Sequence, residues 1–390
     1  MLGKVCFIGV TGSCGKTTTK ELIAAILANE GRVRKSNQVI NTTHYVVKTI
    51  LTVRPWHRFC VSEVSAPSPG VMEKSAKLFR PQIGVVAHIG QDHYSNYRKL
   101  ELTAAEKGKL VEVLPVGGVA VLNTDDPYVS AMRKRTKAQI ITYGLSADAM
   151  VRGENVSCAW PRPMSLDVCY GEKKLHIQTQ LLGEHWAYAV LAALATGIVL
   201  GVSLERAVEA VETFIPVPGR MSPHETTDGV IFICDDWKAP LWTIPASLNF
   251  MRTAKAQRKV IVIGSISDTP KSFYDRYKTV IRQALDVVDK IVLVGDHARS
   301  ALKARPHPED ERIMAFGTLY QLNSFLSNYL KAGDLVLLKG STRADHLQRI
   351  VLSRTNNIAC WREKCGKFRF CSNCRLLHSP FVPTDKVQVS

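Results

Sequence analysis

The alternation of apolar and polar positions is clearest at the start of the chain. Val5 to Val10 is a short apolar run, the signature of a buried strand. Thr11-Gly12-Ser13-Cys14-Gly15 is small and polar, and reads as a turn. From Lys16 onward Leu22, Ile23, Ile26 and Leu27 recur at helical spacing. The same alternation repeats downstream. Strands are expected at Phe59 to Val64, Gln82 to Ile89, Gly118 to Asn123 and Gln139 to Tyr143. Helical patterns cover Asn41 to Leu51 and Leu100 to Val113, and Gly31 to Asn41 is polar and basic, a loop. Alternating strands and helices predict an α/β fold with a parallel sheet.

The pattern then changes. Met164 to Cys169 and Leu175 to Leu181 alternate around Tyr170-Gly171-Glu172-Lys173, a hairpin in a small antiparallel layer. The apolar run Ala187 to Val202 contains Tyr188, Thr196 and two glycines, too short and too polar for a membrane span. The cluster Pro216-Val217-Pro218-Gly219-Arg220 marks a boundary. Beyond it Val230 to Cys234, Lys259 to Gly264, Lys290 to Gly295 and Asp334 to Lys339 are strands of a second, Rossmann-like α/β unit, with helices such as Ser272 to Val287 and Gln348 to Arg354. The expected organisation is 1–220, 221–356 and a cysteine-rich tail, 357–390.

Composition adds two constraints. The charge of +17 favours an anionic partner, or simply a basic solvated surface. No leader-like segment precedes the first strand, so a cytoplasmic protein is expected, and its ten cysteines then read as thiols or metal ligands rather than disulfides.

A strand, a Gly turn and a helix opening on Gly15-Lys16-Thr17-Thr18 make a phosphate cradle, because loop amides and the helix N-terminus face an anion. The strict spacing would put Gly where Val10 stands, so this is a shorter form of the loop. Thr11, Gly12, Ser13, Cys14, Gly15, Lys16, Thr17 and Thr18 are therefore candidate ATP contacts. Lys16 reaches the terminal phosphates and Thr17 ligates Mg²⁺, while Cys14 reads as a small loop residue. Glu63, an acid at a strand's C-terminal end beside such a loop, is a second candidate Mg²⁺ ligand.

In the tail, Cys360-x4-Cys365-x5-Cys371-x2-Cys374 packs four thiols into fifteen residues, a density that suits one structural Zn²⁺, free or disulfide-linked cysteines being the alternative. Trp361, Arg362, Lys364, Lys367, Phe368, Arg369, Phe370 and Arg375 interleave around them. Such a surface suits single-stranded nucleic acid, a protein or carrier, or a cover over the active site.

In their order and spacing these motifs resemble the Mur ligase family, and within it the branch that adds D-alanyl-D-alanine. The resemblance runs from about Lys4 to about Leu352. It rests on Thr11 to Thr18, Asn41, Glu63, Asp92-His93, Ala104-Ala105-Glu106-Lys107-Gly108, Asn123-Thr124-Asp125-Asp126, Leu182-Gly183-Glu184-His185, Val217 to Met221, Asp235-Asp236-Trp237-Lys238-Ala239 and Lys339-Gly340-Ser341. It implies an ATP-dependent ligase that activates a carboxylate as an acyl phosphate, joins it to an amine, and releases ADP and phosphate. It further implies that His93 and a carbamylated Lys107 flank a second Mg²⁺, that Arg220 reaches the phosphates, and that Asp236 and Lys238 meet the ribose and γ-phosphate. Asn41, Lys339 and Ser341 are then candidate substrate contacts.

Three departures shape the expectation. The phosphate-loop strand begins at residue 4, where the muramoyl ligases carry a UDP-sugar domain first, which points to a different, non-UDP-muramoyl carboxylate, free or carrier-bound. His185-Trp186-Ala187-Tyr188-Ala189 replaces the family's His-Asn-x-x-Asn, leaving Trp186 to stack on a base or pack in the core. Trp237 and Pro240 stand where the family has small or polar residues. The alternatives are a nucleic-acid-binding NTPase that uses the basic tail, and a nucleotide-binding partner subunit.

Overall fold

The structure is a computed structural model that describes residues 5–37, 43–363, 365–367 and 369–381. It divides into two compact units, 1–217 and 218–390, the tail falling in the second.

The first unit is built on one sheet. Its strands are β1 (Cys6–Thr11), β2 (Val33–Lys35), β3 (Phe59–Glu63), β4 (Ile83–Val86), β5 (Val119–Asn123), β6 (Gln139–Gly144), β7 (Val151–Ala159), β8 (Arg162–Tyr170) and β9 (Lys173–Gln178). They lie in the order β2-β3-β1-β4-β5-β6-β7-β8-β9. The pairs from β2 to β7 are parallel, and β7, β8 and β9 are antiparallel. The sheet corrects one expectation: the basic stretch expected as a loop contains the edge strand β2, whose short length and two charged side chains hid its pattern. The expected antiparallel hairpin is present as β8 and β9, and β7, paired with β6, joins it to the same sheet.

β1 sits between β3 and β4, so the chain crosses over it between these two strands. That reversal opens a crevice at the carboxyl ends of the strands, where doubly wound folds bind ligands. The register brings Val10 opposite Glu63 and Thr11 opposite Val86. The helix Lys16–Ala28 follows β1 and packs on the almost wholly buried helix Ala187–Val199. Among the described residues no helix is long and apolar enough to cross a membrane.

The second unit carries β10 (Ser222–Glu225), β11 (Ile231–Asp235), β12 (Arg258–Ile263), β13 (Lys290–Val294), β14 (Ile313–Phe316) and β15 (Asp334–Lys339), ordered β10-β11-β15-β12-β13-β14. β10 is antiparallel to β11, and the rest are parallel. β10 and β14 were not expected: both are four-residue edge strands, and β10 is mostly exposed. A bidentate Arg258–Asp334 pair (2.8 and 2.6 Å) ties β12 to β15 at their starts.

The tail is not appended loosely. Trp361, Cys371 and Leu377 are buried in the same apolar cluster as Phe232, Val336, Leu347 and Ile350. Arg349, 2% exposed, donates to the carbonyl oxygens of Cys360 (3.0 Å) and Arg362 (2.6 Å). Arg349→Ala leaves the buried carbonyl of Cys360 and the half-buried carbonyl of Arg362 without this donor, at roughly 1–3 kcal/mol for the first and less for the second. We expect a stability loss of about 3 kcal/mol in urea unfolding, with early proteolysis of the tail. A loss within experimental error would mean that the tail is held by its apolar contacts alone.

Candidate functional site

Gly12 has φ +145° and Gly15 φ +77°, which lets the loop after β1 fold back on the ends of the strands. Ser13 donates its backbone N–H to His88 O (2.6 Å) and its hydroxyl to Gly90 O (3.0 Å), pinning the loop to the segment after β4. A Cβ at position 12 would lie 2.9 Å from Ala87 Cβ and 3.1 Å from His88 N. Thr11 Oγ1 and Thr18 Oγ1 are buried with no hydrogen-bond partner, as expected of a loop shaped for an anionic ligand.

Two lysines, an imidazole and a carboxylate gather at this loop. Lys16 Nζ donates to Gly12 O (2.6 Å) and lies 3.8 Å from Asp92 Oδ2. Lys107, fully buried on the helix Leu100–Glu112, donates to the same Gly12 carbonyl at 3.0 Å and lies 3.4 Å from Asp92 Oδ2. His93 Nε2 is 3.7 Å from Asp92 Oδ1, and His93 itself holds φ +52°, a left-handed turn that aims its ring. Gly12 and Lys107, 95 positions apart along the chain, meet because β1 and β4 are neighbours and the helix Leu100–Glu112 packs on them.

Glu63 ends β3 and is 4% exposed. Its Oε1 is 3.9 Å from Lys20 Nζ, which also pairs with Glu21 (2.8 Å) and donates to Ser36 O (2.9 Å). Glu21 is held below the usual carboxylate range by Lys20 and Lys35, against the opposing effect of burial. Sequence reasoning missed Lys20. Its signal was a second lysine one helical turn after Lys16, on the buried face.

In the second unit, Asp236 is 2% exposed and its Oδ2 has no hydrogen-bond partner. Burial, reinforced by Asp235 and Asp345, pushes its carboxyl up to about 7. Below that pH the folded state keeps a proton that the unfolded chain, with its ordinary value of 3.8, has released. Stability therefore falls as pH rises from about 4 to about 7. Asp236→Asn should remove much of that fall, read by urea unfolding at pH 5 and pH 8. An equal fall in the variant would assign the slope to Asp345, which burial raises in the same direction.

Lys238 Nζ is 2.8 Å from Asp268 Oδ2. Lys339 differs from its expected substrate-facing role. It is 3% exposed, and its ammonium pairs with Asp235 across β11 and β15, so its charge is spent inside the sheet. Ser341 stays at the strand end. Its N–H donates to Asp345 Oδ2 (2.7 Å), which also accepts from Ser265 N–H (2.8 Å). Gly264 and Gly340 leave the room that this carboxylate occupies. Asp345 was not expected; its only signal is an acid five residues beyond Gly340. Arg220 follows Gly219 (φ +71°) at the start of the second unit. Trp186 is 7% exposed and packs in the core beside His185, its indole N–H without a partner. Asn41, Lys364 and Phe368 lie outside the described residues.

Cys360, Cys365, Cys371 and Cys374 face one cavity with His346, Arg349 and Arg362. Cys365 Sγ lies 2.8 Å from His346 Nε2, and Cys371 Sγ 3.5 Å from Nδ1. All four are free thiols, and burial pushes Cys371 up to about 12. Among the described residues no group of three or more His, Cys, Asp or Glu stands in metal-binding geometry.

Two family descriptions match this chain: the Mur ligase middle domain over residues 10–197, and the Mur ligase glutamate ligase domain over 219–342. The chain belongs to the Mur ligase family. Its members are ATP-dependent, ADP-forming ligases that make amide bonds. This Mur ligase is 27% identical over 372 residues to the UDP-N-acetylmuramoyl-tripeptide–D-alanyl-D-alanine ligase of Mycobacterium bovis, covering 88% of its own chain and 71% of the relative. With the enzyme of that name from Bacillus subtilis it shares 26% identity, covering 88% and 74%. Its fold is that of MurF from Acinetobacter baumannii (TM-score 0.80, 23% identity, 90% and 76% covered) and of the MurF ligase from Thermotoga maritima in complex with ADP (0.75, 20%, 90% and 79%).

Proposed function

We propose that this Mur ligase activates a peptide-borne carboxylate with ATP and joins it to the amine of a second, peptide-like substrate, the class of substrates named for its relatives. One observation carries the assignment of the site: Lys16, Lys107 and Asp92 converge on the carbonyl of Gly12 in a loop with unsatisfied threonine hydroxyls. Lys16 and the loop amides hold the β- and γ-phosphates. The carboxylate oxygen attacks the γ-phosphorus and ADP leaves. The amine then attacks the acyl carbon and phosphate departs, so one amide forms per ATP. By the family resemblance, Arg220, Asp236 and Lys238 are assigned to the nucleotide and Ser341 to the substrate.

The donors fit Mg²⁺ in type, being hydroxyl and carboxylate oxygen at Thr17 and Glu63, and imidazole at His93. Bound there, Mg²⁺ offsets negative charge on the transferring phosphoryl group. Lys107 joins the set only when its amine has added CO₂ and lost a proton, which turns a cation into an anionic oxygen donor. The four tail cysteines are a zinc set by the softness of their thiolates and by the cavity they share. Elemental analysis of the purified protein tests this directly, with about one zinc per chain expected.

The activity test is ADP and phosphate release with Mg²⁺ and bicarbonate against mixed pools of carboxylates and amines, with products read by mass. ADP formation that requires both pools, and a product lighter by one water than its two parts, is the expected result. ADP release driven by single-stranded nucleic acid and indifferent to both pools would overturn the ligase reading.

A further inference from the structure

His346 lies outside the tail, in the segment that follows β15, yet its ring reaches the tail's thiols. It is 2% exposed and holds φ +52°, a left-handed backbone that a residue with a β-carbon keeps only where its surroundings demand it. Its Nε2 is 2.8 Å from Cys365 Sγ, and its Nδ1 is 3.5 Å from Cys371 Sγ. The residue before it, Asp345, ties the ends of β12 and β15 together through Ser265 and Ser341. Arg349, three positions on, donates to the carbonyl oxygens of Cys360 and Arg362. The ring is therefore held by neighbours on both sides along the chain.

A neutral imidazole has one N–H and one lone pair, so its two nitrogens cannot do the same work. The distances separate them. With zinc bonds of about 2.0–2.1 Å to nitrogen and 2.3 Å to sulfur, two ligands on a tetrahedral ion stand about 3.5 Å apart. Nδ1 and Cys371 Sγ have that separation. Nε2 and Cys365 Sγ are too close for it, and form a hydrogen-bonded pair instead. The turn at Cys371–Asn373, closed by Cys374 N–H donating to Cys371 O (3.0 Å), sets Cys374 on the same cavity. Cys360 lines that cavity too, and its Sγ accepts from Arg362 Nη1 at 3.7 Å, a donor that favours the thiolate.

We propose that the second unit binds one zinc ion through Cys360, Cys371, Cys374 and His346 Nδ1, with His346 in the place expected of Cys365, and that Cys365 accepts the Nε2–H and holds the ring. The proposal rests on the zinc reading of the tail and changes its ligand set. On binding, three thiols each lose a proton to solvent and become the thiolates that bond the metal. Three thiolates and Zn²⁺ carry one net negative charge, which Arg349 and Arg362 at the cavity wall offset. A metal-bound imidazole gives its other N–H to an acceptor that fixes the ring, the part that Cys365 takes. The metal then joins the tail to the segment after β15, a cross-link within one unit rather than a knuckle closed on itself.

X-ray absorption at the zinc edge of the purified full chain reads the ligands, and three sulfurs with one imidazole nitrogen are expected. Competition with a chelator then ranks the residues by zinc affinity. Loss of a partner that only orients a ligand costs about 10–100-fold. Cys365→Ala should fall in that range and keep the native absorption spectrum. His346→Ala should weaken zinc binding by more than about a hundredfold, and His346→Cys should recover it with four sulfurs in the spectrum. Native affinity in His346→Ala would overturn the inference, and so would loss of a sulfur from the spectrum of Cys365→Ala. Where a variant fails to fold, the native spectrum decides. A native chain that neither holds zinc nor takes it up overturns the zinc reading itself; one that binds zinc through four sulfurs and no nitrogen leaves that reading standing and overturns this inference alone.

Discussion

Lys107→Ala is expected to lower ADP formation at least a hundredfold, with the protein still folded. Removing one preorganised charge from a phosphoryl-transfer site costs about 10²–10³ in kcat. Lys107 is fully buried and touches both the phosphate loop and Asp92, so its loss is felt at Gly12 and at the acid together. The free amine donates to a carbonyl, whereas the carbamate proposed for turnover must supply oxygen. Two further measurements separate these roles. Lys107→Arg keeps the positive charge and cannot form the carbamate, so it should be as inactive as alanine. Added formate supplies a carboxylate oxygen where the carbamate would stand, and should partly restore the alanine variant. An active arginine variant would show that Lys107 works as a cation, and the second Mg²⁺ site would lose its anionic ligand.

Gly12→Ala should abolish measurable ATP binding, while Gly15→Ala only weakens it. Both glycines have positive φ, a strain of about 1–3 kcal/mol for any other residue. The surroundings then separate them. At position 12 the new methyl would meet Ala87 Cβ at 2.9 Å and the backbone N of His88 at 3.1 Å. Neither can rotate away, and His88 is fixed by its bond from Ser13 N–H (2.6 Å). At position 15 the nearest atoms are 3.9 and 4.0 Å away, so only the backbone strain remains. Calorimetric titration with ATP, alongside thermal unfolding, checks the order. Equal losses at the two positions would mean that strain alone decides, and that the loop moves freely from the β4 segment.

Much of the site was legible along the chain because it is local. A strand, a turn that only glycine can make and a helix N-terminus are all set within one short stretch, so the phosphate loop needed no tertiary information. The same holds for Glu63, whose place at a strand end follows from the apolar run before it. The partners of these groups were not legible. Lys20 beside Glu63 depends on which helix face is buried. Asp345 beneath Ser265 and Ser341 depends on β12 and β15 being neighbours. Lys339 illustrates the cost of reading a motif without its sheet. It stands at a strand end, yet Asp235 on the adjacent strand takes its charge.

The tail marks the same division at larger scale. Its four cysteines and its mixed basic and aromatic residues were plain in the sequence, and so was their suitability for a metal. That Trp361, Cys371 and Leu377 enter the second unit's core, and that Phe370 comes to lie against Trp237, follows from helix Gln348–Thr355 meeting the tail. The class of fold, the phosphate loop and the family are written in the order of residues alone, because they rest on periodicity and short-range backbone constraint. Which charges stay available for chemistry, and which a neighbour consumes, is settled in the folded chain, because burial and pairing depend on strands and helices far apart in sequence.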